Sequence, residues 1–315
     1  MPHRQTQKSA TRRAGSGALA QLLLLLSAVF WGASFIFTKG LLNAEPSITP
    51  SLILVGRLFF ATLFVVPLLV ATHRLERIAP RDLAFFLLLS FVEPFLYSFC
   101  ETAGLSHVSS SLAAIIIALI PLSVPFSMSL FYGERVKANA VIGLLLSLAG
   151  IAISSMEQPL EAEWRGLLFL SGAVVIAVAY NLLLVKVLKR YRPYTITAYQ
   201  NARSLFYFLV VALIFDRHEL TQLSFSPQML LMLIFLGVFC SSLAYMFYNY
   251  GMRAVGPTIA CAYNNLIPVF TLLLAVAVGQ ESMTWIKVVG MVVVVVGLFV
   301  AQHDPMHNKK QSNPV

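Results

Sequence analysis

The feature that most constrains this chain is that its middle recurs near its end. The stretch from Val108 to Gly150 reads VSSSLAAIIIALIP, an apolar run, then GERVKANAVIGLLLSLAG. Shifted by 147 residues it meets VGPTIACAYNNLIP, an apolar run, then GQESMTWIKVVGMVVVVVG. One constant offset without gaps pairs Gly104 with Gly251, Pro121 with Pro268, Glu134 with Glu281, Gly143 with Gly290 and Gly150 with Gly297. Apolar matches are cheap in such a sequence; prolines, glycines and a glutamate held in register are not. The chain is a duplicated unit.

What solvent the unit folds in follows from charge. Of the 315 residues 58% are hydrophobic and only 11% charged, whereas a water-facing globular surface needs about 25% charged residues. Continuous apolar runs of about 20 residues point to helices in lipid, and their lack of alternation excludes a β-barrel. Ten candidate spans cover 19–41, 50–71, 82–104, 108–131, 137–156, 165–187, 195–215, 227–250, 257–279 and 284–302. The first resembles a signal peptide, but nine further spans favour an uncleaved helix. The net charge of +9 sits in short loops and in the tails 1–18 and 303–315, whose polar ends 1–13 and 307–315 are expected to be disordered, so a nucleic-acid partner is not indicated. Cys100, Cys240 and Cys261 lie within or beside apolar runs with no metal-ligand spacing, which reads as packing rather than disulfide or metal chemistry.

With the N-terminus inside, 16 of the 22 Lys and Arg residues fall in inside segments and four outside, which places both termini in the cytoplasm of a plasma-membrane protein. Each half, 19–156 and 165–302, then holds five spans. Because five is odd, the second half enters the membrane in the opposite sense. The predicted fold is an all-α polytopic membrane protein with ten transmembrane helices in a 5+5 inverted repeat. Secondary transporters are built this way and hold substrate near the midplane, at the repeat interface. A non-transporting scaffold is the alternative from another class.

Trp31–Gly32 in the first span, Arg57 in the second, LIP followed by GERV, Gly143/Gly150, and the repetition at LIP/GQES and Gly290/Gly297 resemble the EamA-type branch of the drug/metabolite transporter superfamily over residues 20–302. The resemblance implies ten helices, a central cavity and export from the cytoplasm in most members. The second copy departs from the first in having Ala179 where the first has Gly32, with no tryptophan beside it, and GQE for GE.

Glu93 is the sharpest candidate for function. It lies eleven residues after Asp82, about 16 Å into the membrane, where a carboxylate must face a cavity, find a partner or stay protonated. It reads as a proton-coupling group or an anchor for a substrate ammonium, and Pro94 after it frees a backbone carbonyl. Arg57 and Arg203 occupy nearly equivalent places, 146 residues apart. They read either as helix clamps or as carboxylate-binding and gating groups. Tyr180 and Asn181, then Tyr245, Tyr248 and Asn249, then Tyr263, Asn264 and Asn265 form a dense polar and aromatic set in the second half. Tyr245, Tyr248 and Asn249 share one helix face. Asn264 and Asn265 replace Ile117 and Ala118 of the first copy, an asymmetry that suits an asymmetric ligand. Trp31, Tyr97 and Ser109–Ser111 are expected at the same cavity.

Pro121 and Pro268 read as mid-span kinks or gate points, Glu134 and Glu281 as helix N-terminal caps. The paired glycines read as close-packing sites with a homodimer contact open. No phosphate loop, HExxH or acid pair is present, and the six histidines lie in tails and loops, so neither an enzyme, a cofactor nor a metal is expected. The sequence thus predicts an alternating-access carrier, an exporter of small zwitterionic metabolites such as amino acids. Proton coupling and efflux of cationic drugs remain open.

Overall fold

The computed structural model describes residues 3–44, 47–108, 113, 116–133, 136–154, 156, 163–222, 226–279 and 282–302. Every regular element among them is a helix. The principal segments are α1 (His3–Ala44), α2 (Pro50–Ala71), α3 (Pro80–His107), α4 (Leu119–Tyr132), α5 (Ala138–Ser154), α6 (Trp164–Leu188), α7 (Pro193–Phe215), α8 (Pro227–Val255), α9 (Pro257–Ala277) and α10 (Trp285–Gln302). Seven of them are long and apolar enough to cross a membrane; α4, α5 and α10 are apolar but shorter. Prolines open α2, α7, α8 and α9, where the missing N–H costs nothing. The Thr49 and Ser226 hydroxyls accept from the Leu52 and Met229 amides and close the first turns of α2 and α8.

Several expectations are corrected. The α1 backbone is helical from His3, so the segment expected to be a disordered tail continues the first helix. Pro121 and Pro268 do not kink the middle of a helix: each stands in the first turn of one, α4 beginning at Leu119 and the last α-helical part of α9 at Ile267. There the ring meets no carbonyl of a preceding turn, and Tyr263–Leu266 before Pro268 winds as a tighter 3₁₀ turn. Glu134, Glu281 and Ser109–Ser111 lie outside the described residues.

The duplication governs the packing. Helices α3 and α6 pack together as α8 and α1 do, and α1 packs on α9 as α6 does on α4; the 147-residue shift exchanges the members of each pair. The copies α5 and α10 meet each other. A Cβ at Gly143 would lie 2.3 Å from the Ala301 amide nitrogen, and one at Gly150 would lie 2.6 Å from the Gly290 carbonyl oxygen. As α5 advances from 143 to 150 its contacts on α10 retreat from 301 to 290, so the two copies run antiparallel. Ser147 and Val294, 147 positions apart, touch through a 3.2 Å hydrogen bond from the serine hydroxyl to the valine carbonyl. The same holds for α2 and α7, where Leu58 packs with Phe208 and Leu69 with Ala198. The glycines offered above for a homodimer contact are therefore used inside the chain.

Helices α3 and α8 are both interrupted at corresponding places, by wide turns over Phe91–Leu96 and Leu236–Leu243. In α3 the cause is Pro94: the residue before a proline is pushed out of the helical region, and Glu93 is extended at φ −145°, ψ 126°. The carbonyls this strands are capped from α7. Gln200 Nε2 donates to the Glu93 carbonyl at 2.7 Å and the Ser204 hydroxyl to that of Ser90 at 2.8 Å, two side chains one turn apart on one face. In α8, Trp31 Nε1 donates to the Cys240 carbonyl at 3.2 Å and Asn201 Nδ2 to that of Ser241 at 3.1 Å. The opposite repeat supplies both caps in α3 and the Trp31 cap in α8, where Asn201 adds one from α8's own repeat.

At one end of the bundle the segment after α2 is tied to the α6–α7 connection. Asp82 accepts from Arg190 and from the Tyr191 hydroxyl, both at 2.8 Å; Glu76 accepts from the Arg192 amide at 2.7 Å; and the Tyr191 hydroxyl accepts from the Ala79 amide at 3.1 Å. Asp82→Ala removes two of these bonds and is expected to lower stability by about 1 kcal/mol, a Tm decrease of roughly 2–4 °C. Thermal unfolding in detergent at two ionic strengths checks this, because the Arg190 contribution should shrink in high salt.

Candidate functional site

Between the two broken helices lies a cavity of about 70 Å³ lined by both repeats. By the volume one water requires, that space holds several small polar atoms. The 147-residue shift relates lining positions in pairs: Ser34 to Asn181, Glu101 to Tyr248, Ile117 to Asn264 and Ile120 to Ile267. Only the last pair is identical, so an approximately symmetric frame carries an asymmetric lining.

The acidic side belongs to α3. Glu93, Tyr97 and Glu101 recur every four residues and all three face the cavity, Glu93 from the break itself and the other two from one face of the regular helix that follows it. The Glu93 side chain is buried and its carboxylate accepts from the Tyr245 hydroxyl. Glu101 accepts from Tyr97 at 2.6 Å. Arg57, buried on α2, donates through Nε to the Ser241 hydroxyl. It lines the same cavity as both carboxylates, yet makes an ion pair with neither. Its guanidinium keeps donors for a ligand.

The opposite wall is aromatic and amide. The Trp31 ring meets Tyr245 and Tyr248, each at 5.1 Å between centroids. Tyr248 donates to Asn181 Oδ1 at 3.0 Å, and Asn181 anchors its own amide on the Ala177 carbonyl at 2.8 Å. Tyr180 reaches Gln200 at 3.4 Å, the residue that caps the α3 break. Asn264 completes the wall from α9. Phe35, Ile117, Ile120 and Ile267 supply an apolar patch.

Of the residues singled out from sequence, Trp31, Arg57, Glu93, Tyr97, Tyr180, Asn181, Tyr245, Tyr248 and Asn264 meet at this cavity. The other described candidates do not line it. Asn249 is buried with its amide on Thr197 at 3.2 Å and its Oδ1 without a partner. Tyr263 and Asn265 are buried beside Asn264. Arg203 stacks on Tyr199 and Phe86 at 5.1 and 5.6 Å. Its departure has a simple cause. The residue related to Arg57 by the constant shift is Ser204, which caps Ser90; one position away, Arg203 is turned by about 100° around the helix onto another face. Pro121 and Pro268 are also off the lining, although their neighbours Ile120 and Ile267 are on it. The charged lining residue that sequence reasoning missed is Glu101, whose signal was its spacing from Glu93 and Tyr97.

A cavity with two carboxylates, one guanidinium with spare donors, amides and aromatic faces can bind an ammonium, a carboxylate and a small apolar body at once. No group of metal-ligating side chains occurs among the described residues.

Comparison with known proteins gives this geometry a context. The model of the EamA-like transporter family matches residues 18–156 and again 164–301. An uncharacterized transporter of Archaeoglobus fulgidus is 25% identical over 282 residues, covering 89% of this chain and 97% of its own. The uncharacterized transporter YyaM of Bacillus subtilis is 23% identical over 304 residues, covering 93% and 98%. A crystal structure of a protein 18% identical superposes with a TM-score of 0.74 over 91% of this chain and 98% of that one, a likeness of fold.

Proposed function

The chain belongs to the EamA-like transporter family, and from that premise we propose a plasma-membrane secondary transporter that moves small zwitterionic metabolites, amino acids first, by alternating access. Ten crossings in a 5+5 inverted arrangement, with both termini cytoplasmic, are the topology of this reading. The positive-inside count supports the orientation. Export is the proposed direction, on the family resemblance.

One observation carries the substrate class. Glu93 and Glu101 stand in one cavity with Arg57, whose guanidinium is paired with neither. An amino acid matches this set: its ammonium to a carboxylate, its carboxylate to the guanidinium, its side chain to the isoleucines and Phe35. A phosphorylated sugar would demand more cations. The excess of carboxylates over guanidinium favours a second reading, efflux of organic cations, and equally gives protons a place to bind in exchange for cargo.

The test is uptake of a labelled amino-acid panel into proteoliposomes, with and without an imposed pH gradient, alongside a quaternary-ammonium cation. Saturable amino-acid uptake that grows with the gradient is the expected result. Saturable transport of the cation alone would replace the zwitterion reading with the cation one. Transport of neither would sink both.

A further inference from the structure

A second cleft, of about 430 Å³, opens where α3 begins and α6 ends. Arg81, Lys186, Lys189 and Arg190 line it, with Phe85 and Phe86 at its floor. Its one carboxylate, Asp82, already accepts from Arg190 and Tyr191. The side chains of Arg81, Lys186 and Lys189 make no hydrogen bond or ion pair among the described residues, and all three residues are exposed. Uncompensated cations gathered over an aromatic floor call for an anion carried on an apolar body. Beside the cleft, Leu83 and Leu87 of α3 are 46% and 43% exposed, apolar surface next to the cations.

We propose that this cleft is a binding site for the headgroup of an anionic phospholipid. Its phosphate meets Lys186 and Lys189 on α6 and Arg81 on α3, and its acyl chains run along Leu83 and Leu87. Basic pockets between membrane helices hold such headgroups, each cation contributing roughly fivefold in affinity. The site has a structural consequence. Asp82, Arg190 and Tyr191 belong both to the cleft and to the ties that join the segment after α2 to the α6–α7 connection. A bound phosphate draws α3 and α6 together across the repeats and reinforces that end of the bundle, whichever cargo the central cavity takes.

The full-length protein, taken into vesicles of equal phosphatidylcholine and phosphatidylglycerol and released for native mass spectrometry, tests this without transport. Wild type is expected to retain phosphatidylglycerol over phosphatidylcholine, and Lys186→Gln/Lys189→Gln to reduce that preference about 25-fold. Lys186→Arg/Lys189→Arg should restore it. Arg74→Gln/Arg77→Gln, equally basic positions outside the cleft, should leave it unchanged. Equal retention of the two lipids by wild type overturns the proposal, as does an equal loss in the Arg74/Arg77 variant, which would reduce the effect to general surface charge. Inorganic phosphate is added in a parallel arm. Displacement of phosphatidylglycerol by millimolar phosphate would identify a free-phosphate site and overturn the lipid assignment.

Discussion

Glu93→Gln is expected to cut gradient-driven accumulation in proteoliposomes by about 100-fold, the size of effect that follows from losing a buried, hydrogen-bonded charge at a binding site. The amide is nearly isosteric with the carboxylate and still accepts the Tyr245 hydroxyl. The main-chain bond from Gln200 to the Glu93 carbonyl is untouched by the change, so the wide turn in α3 stays capped. What disappears is the negative charge that an ammonium or a proton would meet. The same neutralisation at Glu101, paired to Tyr97 one turn away, is expected to have the smaller effect, about tenfold on half-saturation, since Glu101 is less deeply buried. A Glu93→Gln protein that is monodisperse, unfolds at the wild-type temperature and accumulates cargo normally at every pH would remove Glu93 from the mechanism. A protein that binds cargo but ignores the gradient would separate coupling from recognition.

Much of this could be read before the structure, and the reason is duplication. Prolines and glycines report backbone demands, so their recurrence at a constant offset reported a recurring backbone, and the antiparallel meeting of Gly143 with Gly297 is its direct expression. The cavity's aromatic and amide wall was legible because polar groups in lipid must turn inward. Depth alone does not place a side chain. Arg203 sits at the depth of Arg57 in the inverted frame, but one position of offset turns it to Phe86 and Tyr199. Glu101 stands near the end of its predicted span, where depth gives little signal, and only its four-residue spacing from Tyr97 marks it. Pro121 and Pro268 looked like kinks because the runs around them are continuous in hydropathy, and hydropathy carries no record of where one helical segment stops and the next starts.

The other large effect is expected at the seam between the copies. In Gly297→Leu the new Cβ alone would stand 2.5 Å from the Gly143 carbonyl oxygen and 2.6 Å from the Ser147 amide nitrogen. Both are backbone atoms of a helix, so neither can swing aside as a side chain would. Either α5 and α10 separate, losing the Ser147–Val294 bond and the packing of Ile151 and Val294, or the variant does not assemble. Overpacking of a tight interface costs about 1–3 kcal/mol and more where backbone is the obstacle. A Tm decrease of roughly 10 °C, or loss of monodisperse protein, is the expected outcome. Gly172→Leu on α6, where a Cβ meets nothing within 4 Å, should change little and serves as the control for side-chain size and helix propensity. A Gly297→Leu protein with the stability of wild type would mean that the α5–α10 face is not closed within one chain. The glycines would then be free to pair two copies, and the assignment of this seam to a contact within one chain would fall with that result.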